Sequence, residues 1–131
     1  PISLSYRFDA PDRSMVFTGD TGPCLALEEF AKNVDLLVGE IFDTELVINR
    51  LRATNPDMSD HALLQMRQHF DEHHLTPEDL GQLASRAGVK KVVAVHIPFI
   101  TKNTEEDAKY VSRILANFSG SVTISEDLAA Y

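Results

Sequence analysis

Asp20 lies in the run Phe17-Thr18-Gly19-Asp20-Thr21-Gly22-Pro23, where an apolar strand pattern, Met15–Phe17, leads into a glycine-flanked carboxylate and then a helix start. A second apolar run, Val92-Val93-Ala94-Val95, ends the same way in His96, followed by Ile97 and Pro98. In open α/β sheets, ligands gather beyond the carboxyl ends of strands. One carboxylate and one imidazole at two such ends make Asp20 and His96 candidate metal ligands. Zinc accepts both donor types, and two ligands leave room for more. Each residue also has a plain structural use. Asp-Thr-Gly-Pro is good turn chemistry, and a histidine after a buried strand can be a satisfied core group.

The remaining histidines are His61, His69, His73 and His74. His61 and His69 are eight apart, so they share one helix face but lie too far apart for one metal ion. A solvated helix face is the economical reading. His73-His74 falls in a break between two helical patterns, beside Thr76. A histidine there could cap a helix, or it could be presented to a site as an acid. The single cysteine, Cys24, cannot form an intrachain disulfide. It could be a ligand or nucleophile, but it falls in the first turn of an apolar-faced helix, where packing is expected.

The elements that would hold these groups alternate between period 2 and period 3.6. Ile2–Phe8 alternates as a half-buried strand, Asp9–Arg13 is a turn, and Ser14–Thr18 returns as the second arm of a hairpin. Pro23 suits a first helical position, and Leu27, Phe30, Ala31 and Val34 follow at helical spacing. Leu36–Phe42 reads as a strand, and Asp43 caps a helix carrying Leu46, Val47 and Leu51. Ser59 caps another, with Ala62, Leu63, Met66 and Phe70 inward. Thr76-Pro77-Glu78-Asp79 opens a helix with a capping signature, and Gly88 closes it. The unbroken apolar run in Lys91–Val95 predicts a strand buried on both faces, as in a parallel sheet covered by helices. Thr104 caps a last helix with Val111, Ile114, Leu115 and Phe118 inward, before a strand at Val122–Ser125. The class is α/β, a mixed β-sheet with covering helices and an antiparallel hairpin at one edge.

The 131 residues make one domain or half-domain, with 44% hydrophobic and 24% charged content, ordinary for a globular chain. No apolar run approaches the ~20 residues that cross a bilayer, so no membrane association is expected. Pro1–Ala10 lacks the basic start and apolar stretch of a secretory signal. The formal net charge of −8 argues against a basic nucleic-acid footprint, which makes nucleic acid a less expected partner.

Val16–Pro23 resembles the glycine-aspartate-threonine segment of the metallo-β-lactamase superfamily. The likeness continues through Asp35–Val38, His74–Gly81, Ala87–Val93 and His96, an order similar to the branch holding ribonuclease Z and its arylsulfatase-like relatives. The match covers roughly residues 2–127. It implies the C-terminal half of an αββα fold, with Asp20 bridging two zinc ions, His96 holding one of them and His74 donating a proton to the leaving group. The family's His-x-His-x-Asp-His motif has no counterpart in these residues, nor has its histidine ligand ahead of Asp20. Gly39 stands where many relatives carry histidine, and Leu75 where they carry serine.

These readings combine into an expected function. The resemblance implies a metal-dependent hydrolase of an ester, sulfate or phosphodiester. The chain would be a C-terminal portion that is inactive and metal-poor alone, completed by an N-terminal half or a second copy. The alternatives are a metal-free interaction module that retains the fold, and a small acidic binding domain with a coincidental Asp/His pair.

Overall fold

A computed structural model describes residues 3–98 and 104–131. Five strands, β1 (Tyr6–Asp9), β2 (Ser14–Phe17), β3 (Leu36–Glu40), β4 (Lys91–Val95) and β5 (Ser121–Ile124), form one sheet in sequential order. β1 pairs antiparallel with β2, and every other pairing is parallel. The helices are α1 (Leu25–Phe30), α2 (Thr44–Thr54), α3 (Asp60–His73), α4 (Pro77–Ala87) and α5 (Thr104–Leu115). The mixed α/β class is as the sequence predicts. No helix among the described residues is long and apolar enough to cross a membrane.

The helix starts follow their capping residues. Asp43 Oδ1 accepts from Leu46 N at 3.1 Å, and Ser59 Oγ from Ala62 N at 3.2 Å. Thr76 and Asp79 exchange side-chain and backbone bonds in a full capping box, with Pro77 behind the cap and Gly88 closing α4 in the left-handed conformation. Several expectations shift. α1 begins only at Leu25, so Pro23 lies outside it, and Val34 is buried after the helix has ended. Cys24 is the N-cap and is exposed, not packed, because the first helical turn comes after it. Leu115 is 43% exposed, since Ile114 and Phe118 already fill the inward face of α5 and its end. The capping role expected of the Thr104 side chain lies outside the described residues, as does Ile2 of the first expected strand, whose described part is a strand only over Tyr6–Asp9 and so takes in Asp9, expected in the turn.

Strand register divides the sheet into two faces. One row runs Arg7, Val16, Leu37, Val92 and Val122, and its three central residues are fully buried among Leu27, Leu80, Leu83 and Ile114 of α1, α4 and α5. The next row runs Tyr6, Phe17, Val38, Val93 and Thr123 on the opposite face. Here Val93 is buried, but Tyr6, Phe8 and Phe17 are 56%, 55% and 41% exposed. The hairpin end of this second face is an apolar surface in water, which soluble domains seldom leave uncovered.

Two polar clusters fasten the frame. The Arg113 guanidinium grips both carboxylate oxygens of Glu78, from Nε at 2.7 Å and Nη2 at 2.9 Å, and its Nη1 reaches Asp43 Oδ2 at 2.7 Å. This joins α5 to the start of α4 and to the buried cap of α2, and it holds Glu78 below the usual carboxylate range. Asp35 accepts from Lys90 Nζ at 2.6 Å, Ser14 N at 2.7 Å and Ser14 Oγ at 3.1 Å. One carboxylate therefore ties together the starts of β2, β3 and β4. These bonds, Lys90 foremost, draw its pKa down to about 2.

A depressed carboxylate stabilises the fold above its unfolded pKa, and that contribution disappears as pH falls through the folded value. Asp35 therefore steepens the loss of stability between pH near 4 and pH near 2. Thermal unfolding across that window should show a shallower acid limb for Asp35→Asn than for the parent. Parallel curves would contradict the assignment.

Candidate metal centre

Three neighbouring parallel strands, β2, β3 and β4, deliver one acidic or imidazole side chain each to the same rim. Asp20 follows β2, Glu40 ends β3, and His96 follows β4 directly. His96 Nδ1 lies 2.8 Å from Asp20 Oδ1 and 3.6 Å from Glu40 Oε2. The two residues singled out in the sequence are thus brought together. Between them, from the middle strand, stands a third that the sequence reading passed over.

Local backbone explains how Asp20 arrives there. Thr18 extends β2 by donating its N–H to Val38 O at 3.0 Å, and its Oγ1 accepts from Glu40 N at 3.3 Å. Gly19 then turns with φ +64°, and a Cβ there would lie 2.6 Å from Leu4 O. At Gly22 a Cβ would lie 2.1 Å from Glu72 O, so only glycine lets this loop close against the end of α3. His96 takes φ +54°, a left-handed conformation that costs a non-glycine residue ~1 kcal/mol or more. Such strain gathers at functional sites.

Glu40 is 1% exposed, yet it is fully engaged. Its Oε1 accepts from Thr21 N at 2.7 Å, and its Oε2 faces His74 Nδ1 at 2.7 Å. Burial pushes its pKa above the usual carboxylate range, against the opposing pull of His74 and the Thr21 N–H. His74 is the C-cap of α3, its N–H donated to Phe70 O at 3.0 Å. The following residue, Leu75, is buried and accepts from Phe42 N at 2.8 Å, so the α3–α4 junction is bonded to the chain just beyond β3. The Phe42 ring stacks on His74 with centroids 4.5 Å apart. Hence His74, expected near the site, joins it through Glu40. Its Nδ1 is occupied, and Nε2 is the nitrogen left for a substrate.

Asp20 and His74 line an open cavity of about 390 Å³ together with His69 and His73. His61 lines none of it, and Cys24 borders two other hollows. At Gly39 a Cβ would meet Leu80 Cδ1 at 2.4 Å, so α4 packs into the space a side chain would take.

The donor set suits a divalent ion. Ligand atoms of Asp20, Glu40 and His96 all fall within 4.8 Å of one another, and they are the only such group among the described residues. Imidazole nitrogen and carboxylate oxygen are ordinary ligands for zinc-like metals. Asp20 and His96 fit best, since both are more than half exposed and have room for further ligands. Glu40 fits better behind them, because both its oxygens already accept hydrogen bonds. Glu40 carried one signal in the sequence: a carboxylate ending an apolar strand is seldom buried without partners.

No family model matches the chain. Ribonuclease Z of Mycobacterium avium is 29% identical over 127 residues, 96% of this chain and 40% of that protein. The metallo-β-lactamase fold protein YhfI from Bacillus subtilis superposes with a TM-score of 0.64 at 18% identity, over 93% of this chain and 41% of that one. Human tRNase Z, short form, superposes at 0.53 with 16% identity, over 95% and 36%. The chain is thus similar along nearly its whole length to part of ribonuclease Z, and it has the fold of part of a metallo-β-lactamase fold protein. It spans about 40% of the length of the curated relatives it matches.

Glu40→Gln tests the buried hub. The amide cannot accept from both Thr21 N and His74 Nδ1, so unfolding should show a loss of roughly 1–3 kcal/mol. A raised carboxyl pKa stabilises most below the unfolded value and progressively less as pH climbs towards the folded one. The advantage of the parent over the variant should therefore shrink as pH rises from about 4.5. A difference in denaturant unfolding that grows with pH would contradict this.

Proposed function

We propose that this relative of part of ribonuclease Z serves in a metal-dependent phosphodiester hydrolase, with Asp20 and His96 as metal ligands and His74 as the proton donor. The observation that carries the reading is the convergence of Asp20, Glu40 and His96 at three adjacent strand ends, with His74 attached through Glu40. Of the ester, sulfate and phosphodiester classes, the relatives' names support the phosphodiester. The net charge of −8 weighs against a broad phosphate-neutralising surface. Cleavage depends on a local site, however, and here the relatives outweigh the overall charge.

When bound, the metal, which we take to be zinc, would polarise the phosphoryl group and make water a better nucleophile. The protein groups do the rest. Glu40 engages Nδ1 of His74 and turns Nε2 to the cavity, while Phe42 fixes the ring plane. Nε2 then gives its proton to the departing oxygen as the P–O bond breaks, general-acid work suited to imidazole. Asp20 and His96 alone hold one ion loosely, and a two-ion centre needs further ligands. The reading assigns these to an N-terminal half of the fold or to a second copy. The exposed Tyr6, Phe8 and Phe17 support a missing layer against the open sheet face.

Zinc content, mass in solution and hydrolysis of bis(p-nitrophenyl) phosphate test this on the purified chain, alone and mixed with the N-terminal half of a relative. Alone it should be metal-poor, self-associated and inactive. In an active assembly, His74→Ala should lower kcat by roughly 10²–10⁴-fold with metal content unchanged. Tight stoichiometric zinc plus turnover by a monomer would show that the site is already complete.

A further inference from the structure

Two stretches of chain lead away from the site side by side. One runs from Glu40 through Phe42 to Asp43, the other from His74 through Leu75 to Glu78. Near the site they are joined by the Glu40–His74 contact at 2.7 Å and by the Phe42 ring, which lies 20° from parallel on the imidazole. Midway, Phe42 N donates to Leu75 O at 2.8 Å. At the far end both stretches carry a carboxylate, and the Arg113 guanidinium from α5 bonds Asp43 through Nη1 and Glu78 through Nε and Nη2.

That far end would not stay closed by itself. Asp43 is 7% exposed, and a buried carboxylate left without its partner is strongly destabilising. Its charge also opposes that of Glu78: Arg113 draws the Glu78 pKa down, while Asp43 works the other way. The planar fork of arginine holds two carboxylates at fixed angles, which a single ammonium does not. Tyr110, buried one turn earlier on α5, has its ring centroid 5.9 Å from the guanidinium carbon and backs the fork. Joining α5 to α4 does not call for such a clamp. The two helices already meet closely at Gly81, where a Cβ would lie 2.3 Å from Ile114 O.

We propose that Arg113 is a positioning residue for His74: by holding Asp43 and Glu78 together, it keeps Phe42 stacked on the imidazole and the imidazole on Glu40. It acts through those two carboxylates, from the end of the paired stretches farthest from the metal ligands. What the positioned imidazole is used for rests on the hydrolase reading; the positioning itself rests on the geometry. The clamp brings α5 into a site otherwise built from the ends of β2, β3 and β4 and from the α3–α4 junction. A misplaced general acid transfers its proton poorly even when every site residue is present.

The test uses NMR of the full chain with Arg113→Lys, which keeps the charge but lacks the fork, and Arg113→Met, which removes both. Exchange of the Phe42 amide, measured against the core amides of β4, should quicken about tenfold in Arg113→Lys and further in Arg113→Met. The His74 ring protons should lose the ring-current shift that Phe42 gives them. Asp35→Asn, which loosens the opposite ends of the strands, should leave both readouts at parent values. In an active assembly with an N-terminal half, Arg113→Lys should lower kcat about tenfold or more, with KM and zinc content unchanged. Where Arg113→Met does not fold, Arg113→Lys decides. Readouts unmoved by the Arg113 variants, or moved equally by Asp35→Asn, would overturn the proposal and leave Arg113 a fold clamp alone. The expected spectra without hydrolysis by any assembly would overturn the hydrolase reading and leave the positioning of His74 standing.

Discussion

A buried carboxylate holds this site together. Glu40 is nearly inaccessible, and burying an ionised carboxylate costs several kcal/mol unless hydrogen bonds replace its water. Here the replacements are Thr21 N–H, from the loop bearing Asp20, and His74, from the junction of α3 and α4. The loop and the junction are therefore not independent features. Each is fixed because Glu40 needs it, and Asp20 and His74 take their positions from that need.

The sheet makes this economical. Three parallel strands in sequential order place three chain segments side by side at one rim, within reach of a single carboxylate. Asp35 does the corresponding work at the opposite ends of the same strands, where its bonds to Ser14 and Lys90 hold the register. Register in turn decides the faces. It sends Val16, Leu37 and Val92 into the helix-covered core and leaves the hairpin aromatics on the open side. A slip of one residue would exchange the two faces and remove Glu40 from the rim.

Much of this was legible beforehand, for identifiable reasons. Asp43, Ser59, Thr76 and Gly88 have local partners within a few residues, so their caps can be read from sequence alone. Asp20 and His96 announce themselves by following apolar strands directly. Glu40 was harder because its partners, Thr21 and His74, lie 19 and 34 residues away. Cys24 was misplaced because a proline two residues after Thr21 suggested an earlier helix start than the chain adopts. Leu115 was misplaced because helical spacing alone does not say which of two adjacent apolar residues the core has room for.

The central claim is that Glu40 holds His74 with its Nδ1 protonated and its Nε2 turned to the cavity. Long-range ¹H–¹⁵N spectra of the histidine side chains at neutral pH measure this directly. The account predicts a protonated Nδ1 on His74 with a strongly deshielded proton that disappears in Glu40→Gln. A deprotonated Nδ1, or a His74 signal indifferent to that substitution, would contradict it.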